Sequence, residues 1–267
     1  MRDAPAPLNG NGAWASRYAA ELRRVLVEHA ARAPRSLQTA LGPSELGTAC
    51  DRQAAGKMAG CPKTNHVADP WPSIRGTALH AWAAAAFEAD NARLGRTRWA
   101  VERRVCPDPG HPGTADLYDA AELAVVDHKF LGESAMARLR SSGPSRKYLV
   151  QLLLYGRGYR LLGLPVRRVA LAAYPATAAS LDGTHVWDHP LTPADDALVD
   201  EVLARTAVRE DYAELLRRRL IALDGVPASP DPSDCYFCPF YRPQSARDPG
   251  PGCPGAASPD PRKGALT

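Results

Sequence analysis

Apolar positions recur at helical spacing near the two ends of the chain and gather into short β-prone runs at its centre. The first periodic stretch, Trp14 to Arg32, predicts an amphipathic helix with Tyr18, Leu22, Val25 and Leu26 on one side, a face suited to packing; residues up to Gly12 read as a flexible start. SELGTACDRQAAGKMAG predicts a second helix, with Ser44 as N-cap and Gly60 as stop. A Pro-rich loop through Pro70 and Pro72 follows. RGTALHAWAAAAFEAD is helical by its alanine content and carries His80 in its first half. Runs from Trp99 to Val105, Thr114 to Tyr118 and Leu123 to Phe130, broken by Pro, Gly and Asp, predict a strand meander. RKYLVQLLLYGRGYRLLG returns to helical period and closes at Gly163 and Pro165. RRVALAAY and THVWDH read as further strands, and Pro193 to Leu223 as a long charged helix ended by Gly225 and Pro227.

This order predicts an α/β chain in three parts: an N-terminal helical region over 1–75, a core over 76–225, and a Cys- and Pro-rich tail over 226–267. A length of 267 residues permits one sizeable core with appendages. The tail is Pro, Gly, Asp and Ser with three cysteines, and it cannot pack a core without a ligand or partner. The formal charge of +4 is mild and does not announce a nucleic-acid binder; the Arg217–Arg219 run reads as a solvated helix face. No apolar run reaches the roughly eighteen residues of a membrane span, and MRDAPAPLNGNG lacks the apolar core of an export signal, so the expectation is a soluble, cytoplasmic protein. In that setting six cysteines point to free thiols or metal ligation instead of a disulfide framework.

The chemistry gathers in GTADLYDAAELAVVDHKF. If its two strands pair as a hairpin, Asp116 and Asp127 fall on neighbouring strands, and Lys129 shares the face of Asp127 because strand side chains alternate. Two adjacent carboxylates repel unless a cation lies between them, and Mg²⁺ or Mn²⁺ favours such oxygen ligands. A metal with a nearby ammonium suits phosphodiester hydrolysis. The bland reading is that both aspartates end strands at turns and that Lys129 is solvated. Against it, the apolar Val125 and Val126 run straight into Asp-His-Lys, and charge at the end of a buried strand needs a reason. Asp119 falls on the opposite strand face from Asp116, and Glu102 has no evident partner beyond a supporting role.

With these motifs the chain resembles the RecB-like branch of the PD-(D/E)xK nucleases, including its CRISPR-associated and phage exonucleases with an iron–sulfur cluster. The resemblance runs from Ser44 to Cys253. RGTALH matches the branch's Gly-x-x-x-His element with Gly76 and His80, and QLLLY matches its Gln-x-x-x-Tyr helix with Gln151 and Tyr155. Ala115 stands where the class name has proline, a position where this branch commonly carries an apolar residue. The resemblance implies a restriction-endonuclease-like core, a central mixed β-sheet flanked by helices. It implies catalytic Asp116, Asp127 and Lys129, with Gln151 and Tyr155 lining the active site and His80 joining the two aspartates as metal ligands. The implied activity is a DNA exonuclease acting on ends or single strands, with recombination or repair proteins as possible partners.

The cysteines form a second set. Cys235-x-x-Cys238 is followed by Cys253, and Cys50 lies far upstream; a zinc ribbon would carry another local pair. In the resembled nucleases such an arrangement holds a 4Fe–4S cluster, which implies Cys50, Cys235, Cys238 and Cys253 as ligands and a tail docked on the N-terminal helical region. The longer gap before Cys253 leaves Cys61 and Cys106 as alternatives, and zinc as the alternative metal. By position, Arg75, Arg146 and Lys147 are candidates for phosphate contacts, and Tyr148 or Trp71 for stacking on a frayed DNA end. A non-catalytic DNA-binding or assembly module is the competing class.

Overall fold

The computed structural model describes residues 13–32, 40–65, 70–246 and 251–256. The expected flexible start lies outside the described residues. Helix α1 (Ala13–Arg32) forms as its period predicts, but the expected packing role is not met: it buries no residue, and Tyr18, Leu22, Val25 and Leu26 stay about half exposed.

The single helix expected from Ser44 to Gly60 is two, α2 (Pro43–Leu46) and α3 (Asp51–Met58). Gly42, not Ser44, is the N-cap, with Pro43 opening the helix. The break has a tertiary cause. Carbonyls that a continuous helix would use internally are taken by guanidiniums from α7 (Pro193–Arg217): Arg209 donates to Leu46 O at 3.2 Å and Thr48 O at 2.6 Å, and Arg205 to Ala49 O at 3.0 Å. Both arginines also pair with Asp51 at 2.8 Å.

Helix α4 (Trp71–Leu94) begins inside the expected loop, with Pro72 in its first turn where no donor is lost, and runs through position 75 into the core. Gly95, at φ 63°, ends it in the left-handed region that glycine reaches without strain. Strands β1 (Trp99–Val105), β2 (Gly113–Asp119) and β3 (Ala124–Leu131) are the predicted meander. Helix α5 (Glu133–Ser142), which sequence reasoning did not assign, precedes α6 (Arg146–Leu161). Strands β4 (Arg168–Pro175) and β5 (His185–Pro190) complete the sheet. Helix α7 stops at Arg217, short of the predicted Leu223, and the chain turns at Arg219 with φ 58°.

The result is a mixed α/β fold: one five-stranded sheet in the order β1-β2-β3-β4-β5, flanked by helices. Only β3 and β4 run parallel, and α5 and α6 supply the crossover that parallel neighbours need. Helix α6 is buried almost all round; Val150, Leu152, Leu153, Leu154 and Tyr159 lie in a core shared with Val125, Val169 and Leu171 of the sheet. Among the described residues no helix is long and apolar enough to cross a membrane.

Candidate metal centre and thiol cluster

Strand register brings three acids to one level. Val101 pairs with Leu117 and Arg103 with Ala115, so Glu102 stands opposite Asp116; Leu117 pairs with Val126, so Asp116 meets Asp127 one step past the last ladder pair. Glu102 drops out of the ladder because its backbone is left-handed, φ 47°. That conformation costs a non-glycine residue about 1–3 kcal/mol and occurs where surrounding structure imposes it. Along β3, alternation sends Asp127 and Lys129 toward α6, and His128 and Phe130 toward α4. Phe87 stacks on His128 at 5.0–5.4 Å from Trp99 and the imidazole respectively, and His80 meets the edge of Phe130.

Asp116 sits where both faces meet. Its Oδ2 accepts from His128 N at 2.7 Å and lies 3.4 Å from His80 Nδ1. Among the described residues, His80, Glu102 and Asp116 form the one group of three or more His, Cys, Asp or Glu ligand atoms within 4.8 Å of one another. Glu102, which sequence reasoning left without a partner, therefore belongs to the site. Counting back along the hairpin register from Asp116 gives its level on β1 but not its left-handed turn toward the site. Asp119 is correctly outside: Arg98 clamps it with bonds of 3.0 and 2.7 Å at the far end of the hairpin.

Asp127 is only 1% exposed and ion-pairs with Lys129. Gln151 Nε2 donates to Asp127 Oδ1 at 2.8 Å, and Lys129 Nζ to Gln151 Oε1 at 3.4 Å. Tyr155 OH stands 3.5 Å from the same Gln151 amide. Asp127 Oδ2, although close to the ammonium, receives no well-formed hydrogen bond. Burial pushes the Asp127 carboxyl up to about 6; the Lys129 charge opposes this rise and the Asp116 charge adds to it. For Asp116, burial alone would raise the carboxyl, but His80, the His128 N–H and Lys129 together hold it below its usual range. His80 is raised, chiefly by its contact with Asp116. An imidazole and two carboxylates with ligand atoms within 4.8 Å of one another, His80, Glu102 and Asp116, suit a hard divalent cation, while Asp127 on the next strand is turned to Lys129 and Gln151.

The thiols of Cys50, Cys235, Cys238 and Cys253 line one cavity with Arg52, Gln53 and Tyr241. Cys50 is the N-cap residue of α3, and α8 (Pro232–Cys235) carries Cys235. Cys253 N donates to Phe240 O at 2.7 Å, Arg242 N to Cys253 O at 2.8 Å, and Arg52 Nη1 to Cys253 Sγ at 3.2 Å. Burial pushes the Cys238 thiol up to about 12, and the other three sulfurs add to the rise. The tail is docked on α3 at close range: a Cβ on Gly56 would meet the Phe240 ring at 2.7 Å. Cys61 lines a different cavity, and Cys106 is exposed with its thiol on Asp108 O.

Of the proposed DNA contacts, Tyr148 presents its ring 5.0 Å from Lys129 Nζ, and Arg146 turns to Glu201 at 3.1 Å. Trp71 lies half exposed at the start of α4, and Arg75 Nε is buried without a hydrogen-bond partner. A Cβ on Gly76 would meet nothing within 4 Å, so packing does not require glycine there.

No family model and no curated protein matches the chain. Solved structures that are similar to it include the following three. An alkaline exonuclease from Laribacter hongkongensis is 13% identical with a TM-score of 0.48, over 70% of this chain and 95% of that one. The same enzyme in complex with dAMP gives 14% identity and 0.45, over 68% and 93%. A phage-related exonuclease from Haemophilus somnus 129PT gives 13% and 0.41, over 64% and 83%.

Proposed function

We propose that the chain is a metal-dependent nuclease that hydrolyses DNA phosphodiesters at ends or in single strands. The carrying observation is the row Glu102, Asp116 and Asp127 at one level of three adjacent strands, with His80 against Asp116 and Lys129 against Asp127. Mg²⁺ or Mn²⁺ held by His80, Asp116 and Glu102, with Asp127 as a further ligand from the adjacent strand, would supply neutralisation of the carboxylates and polarisation of a phosphoryl oxygen. The chain's own groups do the rest. Lys129 is held by Asp127 and by Gln151, which keeps its ammonium at the carboxylate row, where it offsets negative charge developing on phosphate. Gln151 fixes Asp127 through its amide while Tyr155 backs that amide, so both line the site.

Four thiolates at Cys50, Cys235, Cys238 and Cys253 suit a 4Fe–4S cluster that ties the tail to the N-terminal region. A tetrahedral zinc with Zn–S near 2.3 Å needs sulfurs about 3.8 Å apart. Zinc on the same four thiolates is the alternative occupant.

The test of the activity is digestion of end-labelled single- and double-stranded DNA with Mn²⁺, comparing wild type with Lys129→Ala. Loss of cleavage by about 10²–10³-fold is expected. Equal rates would remove Lys129 from its role, and an inactive wild type would leave a non-catalytic DNA-binding module, with recombination or repair proteins as its partners. Anaerobically purified protein is expected to be brown, with broad absorbance near about 400 nm; a colourless sample with one zinc would replace the cluster.

A further inference from the structure

We propose that the large cavity between α3, α5, α6 and the tail seats a single nucleic-acid strand, with Lys147 and the α6 N-terminus on a phosphate and Phe237 on a base. This rests on the nuclease reading of the adjoining site. The cavity has a volume of about 900 Å³ and reaches from Leu131 and Tyr148 to Phe237 and Phe240. Its inner end is the catalytic end, because the Tyr148 ring lies 5.0 Å from Lys129 Nζ.

The charge along it favours a polyanion. Lys57, Lys63, Arg138 and Lys147 line the wall against Glu45 and Asp234, and Glu45 is already engaged by Lys57. Among the described residues, Lys147 and Arg138 stand in no ion pair. The start of α6 gives a second, independent sign. Its first turn holds no acid and instead carries Arg146 and Lys147, cations at the positive end of a 16-residue helix, where dipole and charge repel. Ser145 caps the Tyr148 N–H, the helix itself offers its first N–H groups no partner, and Ser145, Lys147 and Tyr148 all line the cavity. An anion resolves both conditions at once. The seat is rigid, since α2 lies so close that a Cβ on Gly47 would stand 2.8 Å from Lys147 Cα.

A strand fits where a duplex does not. Asp127 and Gln151 are recessed, at 1% and 5% exposure, and the Tyr148 ring that lines the cavity stands against Lys129 beside them. Phe237 is 67% exposed on the opposite wall, an apolar ring with no role in the core. Unpaired bases stack on such a ring; paired ones do not present their faces. The tail thus forms one wall of the path as well as holding the thiols, and filling the thiol cavity is coupled to strand binding.

The test is fluorescence anisotropy of the holo-protein in Ca²⁺ with a labelled DNA strand of about 12 nucleotides, the same sequence as RNA, and a blunt DNA duplex. Phe237→Ala is expected to weaken strand binding about fivefold or more. Lys147→Ala is expected to lower the slope of log affinity against log salt by about 0.7, a change that a structural role would not produce. The RNA arm identifies the sugar the groove accepts. Unchanged affinity and unchanged slope in both variants, or a preference for duplex, would overturn the proposal. Cleavage in Mn²⁺, measured alongside, separates the two readings. Groove-dependent binding without cleavage removes only the nuclease activity, whereas Lys129-dependent cleavage with groove variants indistinguishable from wild type removes only the groove.

Discussion

The carboxylate row and the thiol cavity both gather side chains of the kinds that ligate cations, but they are assembled in opposite ways. Glu102, Asp116 and Asp127 come from consecutive strands whose ladder fixes their level, and only His80 arrives from outside the meander. The thiols come from Cys50 and from a tail almost two hundred positions later, joined by long-range bonds such as Arg52 Nε to Val226 O and Asn65 Nδ2 to Cys238 O, each at 2.9 Å. A site made by register keeps its geometry from backbone hydrogen bonds, which hold with or without an ion. One made by a largely irregular tail, which the buried Val226 and Phe240 anchor but no strand ladder aligns, depends more on whatever fills it. The contrast teaches that loss of the ion should be a catalytic event in the first site and a structural one in the second.

The strongest way to break this contrast acts on Arg209, which is 1% exposed and clamps the segment carrying Cys50. Arg209→Ala leaves Asp51 with Arg205 alone and strands the Leu46 and Thr48 carbonyls, and is expected to cost about 1–3 kcal/mol for each stranded group. In urea titration the tail should become protease-sensitive before the sheet unfolds; coincident transitions would show that the two regions are one cooperative unit.

Glu102→Gly tests the other side. It removes a carboxylate from the row and relieves a left-handed backbone, so Mn²⁺ affinity by calorimetry is expected to fall about 10–100-fold while thermal stability holds or rises. A fall in both would assign Glu102 a purely structural place. Gly56→Ala follows in size. Its new methyl meets Phe240 and Leu223 below 3 Å and is expected to cost about 1–3 kcal/mol, seen as loss of cluster absorbance with the carboxylate site still binding Mn²⁺.

The smallest effect concerns acid. Burial would raise Asp119, but the Arg98 fork and the Ala121 and Glu122 N–H groups carry it below its usual value of 3.8. A depressed carboxyl stabilises above its unfolded value and loses that contribution as pH falls through the folded one. The difference in melting temperature between wild type and Asp119→Asn is therefore expected to be full near neutrality and to close below about pH 4. A gap independent of pH would mean that the hairpin end is held by other contacts.

Much of the carboxylate row was legible in the chain. The three central strands follow from alternation and turn residues, and the Asp116–Asp127–Lys129 arrangement follows from hairpin pairing, because register is a local property. Glu102 was missed for a reason of the same kind: its pairing partner was calculable, but its left-handed turn toward the site was not. Helix α5 was missed because ten residues with two buried apolar side chains give little periodic signal.

What the amino-acid order determined, then, is everything set by period and near neighbours: α4 and α6, the meander, the lysine two places after an aspartate, and the Cys-x-x-Cys pair. What only the tertiary structure decided is where distant groups compete for the same backbone. The helix breaks after Leu46 because Arg205 and Arg209 take the carbonyls of Leu46, Thr48 and Ala49, and α1 buries none of its residues although its pattern invited packing. The four cysteines surround one cavity because the chain returns to its beginning. Periodicity reports the energy of a segment with itself, and these outcomes depend on the energy of a segment with its partners.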